Sequence, residues 1–334
     1  MRIGIIGAGA VGGTLAALLD RAGHEIQAAA RGAHLAAIRE GGLRLEGAWG
    51  EHTARIAGGE VLASPPELAI IAVKAQDGPA AIRQNADALS GAPLLVVQNG
   101  LDGIAASREA APGSAVVAGL AGFAASFLSP GSVRVTTPGP VLIGTERAED
   151  ADAVELAARA LGEVLPVVRT PDIRGAQWTK LLINHVNALP AITGLSVQET
   201  VAHPGLRRIL TASMRESVRI ARRRGVRFQP LQGLDDRLLR LLGRAPLALG
   251  GLLPRAMARR MGEVPNPAST LQSIRRGQPS EIDHLNGAIV REAELAGTAA
   301  PVAAALVALV HQVEATGRFV PAELVAASVP LGRD

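Results

Sequence analysis

The sequence predicts an α/β protein in which a doubly wound parallel sheet is followed by an all-helical C-terminal domain. Short apolar runs alternate with helical patterns through the first half of the 334 residues, and a glycine-rich turn follows the first run. From about Asp172 the apolar periodicity becomes helical and stays so to the end. We therefore expect one domain over residues 1–170 and a second over residues 171–334.

The predicted elements of the first domain follow one another in the strand–helix order of parallel sheets. Strands are expected at residues 2–6, 25–30, 68–73 and 93–97, with helices at residues 11–22 and near 80–89. Residues 133–137 and 141–143, separated by Pro138 and Gly139, predict a hairpin or edge pair that closes the sheet. In the second domain, residues 207–224 and 282–296 predict two long helical segments.

Bulk composition excludes several classes of protein. With 48% hydrophobic and 19% charged residues, the chain does not have the composition of a disordered protein. No apolar run is long enough to cross a bilayer, so we expect no membrane partner and a cytoplasmic location. The chain has no cysteine and its seven histidines lack metal-ligand spacing, so no metal site is expected.

The net charge of +4 does not indicate a nucleic-acid partner. The densest basic cluster falls mostly at helical spacing and contains no interleaved aromatic residues, which favours a solvated helix face. Its members are Arg215, Arg219, Arg222, Arg223 and Arg224.

Lysine is rare in this chain, and its two positions are therefore candidate sites. Of the 34 basic residues only Lys74 and Lys180 are lysines, which leaves 34 − 2 = 32 arginines. A lysine ammonium can donate a proton, whereas an arginine guanidinium practically never deprotonates. The alternative is that two lysines remain by chance.

A glycine-rich turn lies between the first predicted strand and the first predicted helix. It consists of Gly7, Ala8, Gly9, Ala10, Val11 and Gly12. In this context the spacing is typical of a Rossmann-type dinucleotide site, where the glycines allow a tight turn and close approach of a pyrophosphate to the helix N-terminus. FAD is an alternative ligand. The second strand ends at Arg31 without an acidic residue, which favours the 2′-phosphate of NADP over the ribose of NAD.

Lys180 begins a polar stripe on an otherwise apolar predicted helix. At helical spacing Asn184 lies about 40° to one side of Lys180 and Asn187 about 20° to the other. An ammonium with two neutral amides would suit a substrate that carries carbonyl and hydroxyl groups. A solvent-facing stripe is the alternative, although arginine and glutamate would then be expected.

Three further residues lie where ligands are often bound. Lys74 and Asn99 follow strands at the carboxyl end of the predicted sheet, although Asn99-Gly100 is equally well explained as an ordinary turn. Glu281 lies in a sequence typical of a helix start, where a first-turn acid is favoured by the helix dipole.

These motifs, in this order, resemble the ketopantoate reductase (2-dehydropantoate 2-reductase) family over essentially the full chain. The resemblance rests on residues 7–12, Arg31, 73–75, 98–100, 172–184, Ser269 and 281–287. It implies that Lys180 is the catalytic acid and Glu281 its acidic partner, which also lies by the cofactor. It further implies that Lys74, Asn99 and Ala125 lie at the cofactor and that Asn99, Asn184 and Ser269 hold substrate.

One departure from the family pattern concerns the substrate. The family usually places a second asparagine eight residues after the lysine, where this chain has Ala188, and the amide is found at Asn187 instead. The leucine-, glycine- and arginine-rich residues 237–260 are also unusual. The identity of the substrate is therefore left open.

The resemblance implies an NADPH-dependent oxidoreductase that reduces the C2 carbonyl of a 2-oxoacid, with 2-dehydropantoate as the leading candidate, in pantothenate and CoA biosynthesis. Two alternatives stay open. One is a reductase for another 2-oxoacid or an imine, in the manner of opine dehydrogenases, and the other is a non-catalytic NADP sensor. The oligomeric state is not given by the sequence, and a homodimer is one option.

Overall fold

The computed structural model describes residues 1–262 and 264–331. Glu263 and the last three residues of the predicted second domain, 332–334, lie outside the described part. The chain divides into two compact units, Met1–Ala176 and Gln177–Asp334, which are described separately below.

The first unit is built on an eight-stranded sheet in the order β12-β11-β8-β7-β6-β1-β2-β5 and a four-stranded sheet in the order β4-β3-β10-β9. The strands are β1 (Arg2–Ile6), β2 (Glu25–Ala29), β3 (Leu43–Gly47), β4 (His52–Ala54), β5 (Ala57–Gly59), β6 (Leu68–Ile71), β7 (Leu94–Val96), β8 (Val116–Ala121), β9 (Ala124–Ser129), β10 (Ser132–Thr137), β11 (Val141–Gly144) and β12 (Val167–Arg169).

The centre of the large sheet is parallel, as the sequence predicts. Its strands β1, β6 and β7 are almost wholly buried apolar runs, which is typical of strands covered on both faces. β1 pairs with β2 on one side and with β6 on the other. The strand order therefore reverses beside β1, and the carboxyl ends of β1 and β6 open the crevice where sheets of this kind bind ligands.

The helices of the first unit connect these strands. They are α1 (Ala10–Arg21), α2 (Gly32–Gly41), α3 (Gly78–Gln84), α4 (Ala86–Leu89), α5 (Gly103–Ala110) and α6 (Ala151–Gly162). Helix α1 contacts β1 and β2 of the large sheet. It also contacts all four strands of the small sheet, which are β3, β4, β9 and β10. Its residues Leu15 and Leu18 are fully buried, so α1 forms the shared core between the two sheets.

The strands predicted at residues 133–137 and 141–143 are present, but the predicted hairpin or edge pair between them is wrong. β10 pairs with β3 and β9 in the small sheet, whereas β11 pairs with β8 and β12 in the large one. Pro138 and Pro140 lack the backbone N–H donors that a hairpin ladder would need beside its turn. The burial patterns also differ, because β10 alternates buried and exposed residues while β11 is buried throughout. Buried and exposed residues alternate in a sheet with one face in solvent, whereas a sheet covered on both faces buries every residue of its strands.

The second unit is helical, as predicted. Its elements are α7 (Ile173–Asn184), which begins in the first unit, α8 (Ala188–Thr193), α9 (Val197–Ala202), α10 (Pro204–Arg223), α11 (Asp236–Arg244), α12 (Leu247–Gly250), α13 (Leu252–Arg260), α14 (Ser269–Arg275), α15 (Asn286–Leu295), α16 (Pro301–Thr316) and α17 (Ala322–Ser328). Helix α10 is central, since it contacts α9, α11, α12, α13, α15, α16 and α17.

Two predicted helices are interrupted. Residues 80–89 form α3 and α4, which meet at Asn85, whose buried side chain accepts a hydrogen bond from the Leu62 amide at 2.8 Å and donates one to the Ala81 carbonyl at 2.8 Å. Residues 282–296 form a 3-10 turn, Ile282–His284, followed by α15. No helix among the described residues is both long enough and apolar enough to span a membrane.

Candidate active site

The glycine-rich turn connects β1 to α1 in a conformation that requires glycine. Gly7 has a φ of +96°, a region that L side chains rarely adopt, and its amide donates to the Ala29 carbonyl at 3.1 Å. A Cβ on Gly7 would lie 2.6 Å from the Val73 amide nitrogen, and a Cβ on Gly12 would collide with the Gly7 carbonyl oxygen. The turn, the start of α1 and the end of β6 therefore approach one another as only glycine permits.

Gly9 differs from Gly7 and Gly12 because it faces open space. A Cβ there would meet no atom of the described residues within 4 Å. Gly9 is the N-cap residue of α1, whose first turn contains no acidic side chain. The partial positive charge of the helix N-terminus is thus directed at an open position, which fits a pyrophosphate group.

His34 holds the turn in place and was not found from the sequence. Its Nδ1 accepts a hydrogen bond from the Gly131 amide at 2.9 Å, so Nε2 carries the hydrogen and donates to the Ala8 carbonyl at 2.7 Å. Burial lowers the pKa of His34, which favours this neutral form. The link joins α2, the glycine turn and the turn before β10. No local signal reveals it, because Gly131 is 97 residues from His34.

Lys74 and Asn99 lie at the same edge of the large sheet. They follow β6 and β7, which pair in parallel with Ile71 opposite Val96. Between them the Gln98 side chain donates to the carbonyls of Val73 at 3.0 Å and Lys74 at 3.4 Å, which ties the two strand ends together. Gln98 was noted only as part of a motif, and its positioning role emerges from these bonds.

The turn interpretation of Asn99-Gly100 is compatible with a site. Gly100 has a φ of +92°, so the chain does turn there, and Asn99 is half-buried at the end of the strand. Arg31 is exposed at the N-cap of α2, and its guanidinium donates to the Gln84 side chain of α3. Ala125 is half-buried in β9, opposite Val135 of β10.

Lys180 lies on α7 in surroundings that destabilise its charge. The residue is half-buried, and the preceding Trp178 and Thr179 are fully buried. The Thr179 hydroxyl donates to the Gln229 carbonyl at 2.8 Å, which fixes this turn of the helix. Burial lowers the pKa of Lys180 from its usual value near 10.5 to about 8. Desolvation disfavours the ammonium and brings its titration close to neutral pH.

The polar stripe exists, but its geometry differs from the prediction. Helix α7 ends at Asn184, and residues His185–Asn187 form a 3-10 turn before α8 begins. Side chains three residues apart eclipse one another in a 3-10 helix, so Asn187 lies directly beyond Asn184 instead of on the opposite side of Lys180. The α-helical angle predicted for Asn187 is therefore wrong, because the α-helix ends at Asn184.

The side-chain amide of Asn187 forms no hydrogen bond with another described residue, although most of the residue is buried. It is only 8% exposed, whereas Lys180 and Asn184 are half-buried. An amide that no described protein group engages is a candidate for binding a ligand.

His185 anchors the 3-10 turn and was assigned no role from the sequence. Ser217 donates its hydroxyl hydrogen to the Ser213 carbonyl at 2.9 Å, so its oxygen accepts from His185 Nε2 at 2.9 Å. His185 Nδ1 then accepts from the Ser213 hydroxyl at 2.9 Å and the Asn286 amide at 3.4 Å. The imidazole is neutral and fully buried, and burial lowers its pKa to about 4.

Ser269 and Glu281 lie at the starts of short helical segments in the second unit. Ser269 is exposed at the start of α14, which contacts the 3-10 turn that contains Asn187. Glu281 is half-buried just before the Ile282–His284 turn. The Ser280 hydroxyl accepts from the Ile282 amide at 3.3 Å, and the Ser280 amide donates to Glu314 at 2.8 Å.

Among the predicted residues, the first unit brings the glycine turn, Lys74 and Asn99 to one sheet edge. The second unit brings Lys180, Asn184 and Asn187 onto one helical segment. The doubly wound sheet with its glycine turn, followed by a helical unit with a desolvated lysine, defines a dinucleotide-dependent oxidoreductase.

Comparison with known families agrees with this class. The family profile described as ketopantoate reductase PanE/ApbA matches residues 3–147, and the profile for the C-terminal part of the same family matches residues 172–314. The chain therefore belongs to the ketopantoate reductase family, and it is an oxidoreductase.

Relatives and solved structures match along nearly the whole chain. A 2-dehydropantoate 2-reductase of Mesorhizobium japonicum is 31% identical, with 93% of this chain and 97% of the relative covered. The crystal structure of a PanE/ApbA family ketopantoate reductase from Ralstonia eutropha JMP134 is 32% identical, with a TM-score of 0.80 over 94% of this chain and 99% of that one. A D-mandelate dehydrogenase with NADH and anilino(oxo)acetate shares the fold, with a TM-score of 0.81 at 21% identity over 96% of this chain and 100% of that one. Membership of the family and the similarity to 2-dehydropantoate 2-reductases support a nicotinamide cofactor and a small-molecule substrate.

Proposed function

We propose that this protein reduces the C2 carbonyl of 2-dehydropantoate to give pantoate, with NADPH as the hydride donor and Lys180 as the proton donor. The observation that carries the proposal is the half-buried Lys180, whose pKa is lowered to about 8, on the same helical segment as the buried amide of Asn187. Such a product would serve pantothenate and CoA biosynthesis.

The first unit has the features needed to hold the cofactor. The open position at Gly9 and the N-terminus of α1 would take the pyrophosphate. Arg31 would pair with the 2′-phosphate, because no acidic side chain ends β2 to hold a ribose hydroxyl instead. Lys74, Asn99 and Ala125 would line the remainder. When bound, the nicotinamide would supply the hydride.

Lys180 would supply the proton. Hydride addition to C2 moves the carbonyl electron pair onto oxygen, and the ammonium of Lys180 stabilises the developing alkoxide and then protonates it. A pKa of about 8 leaves the amine mostly protonated near neutral pH and makes it a better acid than an exposed lysine. The neutral amine then regains its proton from solvent.

The amides and acidic partner would bind and orient the substrate. Asn187, which has no side-chain partner among the described residues, would find one in a substrate hydroxyl or carboxylate. Asn184 lies on the same side of the turn, and Ser269 and Asn99 would add further contacts. Glu281 would orient Lys180 or the substrate.

The proposal is tested by following NADPH oxidation with a panel of 2-oxoacids. The panel includes 2-dehydropantoate, pyruvate and the 2-oxoacid that corresponds to mandelate, since the position of Asn187 departs from the family pattern. We expect 2-dehydropantoate to give the highest kcat/KM. Faster turnover of another 2-oxoacid would overturn the substrate assignment, and tight NADPH binding without turnover of any would favour the sensor.

A further inference from the structure

A cavity of about 320 Å³ lies within the second unit, and no residue assigned above to catalysis or cofactor binding lines it. Its walls come from α10, from Leu247 of α12, from the start of α16 and from Leu331. The volume is at the lower end of the range of small-molecule sites.

One wall of this cavity is strongly basic. Arg215, Arg219 and Arg223 follow one another at four-residue intervals on α10, so they share one face of the helix, and all three line the cavity. The solvated helix face predicted for this cluster holds for Arg219 and Arg223, which are exposed. It does not hold for Arg215, which is only 5% exposed. A guanidinium is rarely buried to this extent at an ordinary solvated face.

The only carboxylate among the lining residues is already engaged. Both oxygens of Glu216 accept backbone hydrogen bonds at the start of α16, from Val302 at 3.0 Å and Ala303 at 2.8 Å. Burial raises the pKa of Glu216, while these two bonds and the charge of Arg219 oppose the rise. The charge of Glu216 is therefore directed at the N-terminus of α16, and Arg219 and Arg223 line the cavity beside a carboxylate that is already engaged.

The exposed arginines keep hydrogen-bond donors available. The Arg219 Nε donates to the Gly243 carbonyl at 3.0 Å, which orients its guanidinium. Within residues 1–262 and 264–331, neither Arg219 nor Arg223 forms an ion pair with a carboxylate. Like charges four residues apart destabilise a helix slightly, so a bound anion would relieve a cost that the chain otherwise carries.

We propose that this cavity binds a small metabolite with at least two negative charges, borne by phosphate or carboxylate groups. Guanidinium groups form bidentate, charge-assisted hydrogen bonds with both kinds of group, and their spacing on one concave wall allows two of them to engage one ligand. The abundance of arginine in this chain does not by itself account for the arrangement, because a solvated face requires neither a concave wall nor a buried member.

Isothermal titration calorimetry at constant ionic strength tests the proposal, with citrate as the carboxylate probe and inorganic pyrophosphate as the phosphate probe. We expect Arg219→Ala/Arg223→Ala to weaken binding of at least one probe by about ten-fold or more, as for loss of charge-assisted bonds. The matched control is Arg208→Ala/Arg222→Ala, which removes two exposed arginines from the same helix outside the cavity. This control should change affinity by less than about two-fold, because long-range charge is screened.

Three results would overturn the proposal: no binding of either probe to the unmodified protein, equal affinity in the Arg219→Ala/Arg223→Ala protein, or equal weakening in both double variants. The comparison also separates this cavity from pyrophosphate binding at the glycine turn, which neither variant touches. If the double variant does not fold, Arg223→Gln alone provides the same test, because that exposed side chain holds no ion pair with the described residues.

Discussion

At the scale of single residues, burial separates the two groups most directly involved in the proposed chemistry. Lys180 keeps part of its surface exposed and has a pKa lowered to about 8, whereas Asn187 is almost wholly enclosed. The first arrangement suits a group that exchanges protons with solvent, and the second suits a group that recognises one substrate atom.

Replacement of Lys180 should remove the proton donor but leave the cofactor site intact. We expect Lys180→Ala and Lys180→Arg each to lower kcat by about 10²-fold or more, because guanidinium is a poor proton donor. In the unmodified protein, kcat/KM should fall as the pH rises above about 8, since the general acid is then deprotonated. Steady-state rates and NADPH titrations measure these effects. Near-normal turnover of the Lys180→Arg protein would contradict the mechanism.

Asn187→Leu should weaken substrate binding without destabilising the fold. The substrate group would lose its hydrogen-bond partner, which should weaken the binding free energy by about 1–3 kcal/mol and raise KM. Asn85→Leu is a matched control, because Asn85 is equally buried but uses its amide to bind Leu62 and Ala81. That variant should lose stability in urea and keep its KM. An unchanged KM for Asn187→Leu would remove Asn187 from the substrate site.

Arg31 should determine the choice between the two nicotinamide cofactors. We expect the unmodified protein to bind NADPH much more tightly than NADH and Arg31→Asp to erase or reverse the preference. Fluorescence titration with both cofactors measures this. Gln84→Ala is a useful companion, because it releases Arg31 from its hydrogen bond and keeps its charge. Equal binding of both cofactors by the unmodified protein would show that Arg31 does not act in this way.

At the scale of elements, Gly9 and Gly12 of the β1–α1 turn differ in what their surroundings require. Gly12 is required by the fold, because a Cβ would collide with the Gly7 carbonyl oxygen. Gly9 is required by nothing among its described neighbours, because a Cβ there would meet no atom within 4 Å. Both are nevertheless part of the same motif.

These glycines should respond differently to alanine. Gly12→Ala should lower the melting temperature, because α1 must move away from the turn. Gly9→Ala should leave the melting temperature within a few degrees of normal but weaken NADPH binding, because the methyl group occupies the space proposed for the pyrophosphate. Thermal denaturation and cofactor titration separate the two effects, and normal NADPH affinity in the Gly9→Ala protein would place the pyrophosphate elsewhere.

The 3-10 turn after α7 depends on a buried neutral histidine. Burial lowers the pKa of His185 in the folded state to about 4 from its ordinary value of 6.5, so the unfolded chain binds this proton more readily. Stability from this group is therefore complete above about pH 6.5 and is lost as the pH falls towards 4, by up to about 3 kcal/mol.

His185→Gln should flatten this pH dependence. Between about pH 7 and pH 5, the unmodified protein should lose about 2 kcal/mol more unfolding free energy than the variant. Urea titrations at the two pH values measure the difference, and comparison between the proteins cancels the titration of the other histidines. An equal loss in both would show that His185 does not remain neutral in the folded state.

At the scale of the whole molecule, the order of elements was largely predictable. The apolar periods placed the central strands and the long helices within a few residues, because burial of one face or of a whole strand imposes its own spacing. The smaller sheet was not predicted. Its strand β4 has only three residues, and β10 pairs with β3, far away in the sequence.

The sequence by itself determined the fold class, the family, the glycine turn and the lysine at position 180, because each depends on residue type and local spacing. Only the tertiary structure decided that residues 133–143 divide between two sheets, that His34 holds the glycine turn and Gln98 the chain after β6, and that His185 supports a 3-10 turn. It also revealed Arg215 as a buried cavity residue. These features arise from contacts between residues far apart in the chain, where partners are set by three-dimensional packing and leave no local pattern.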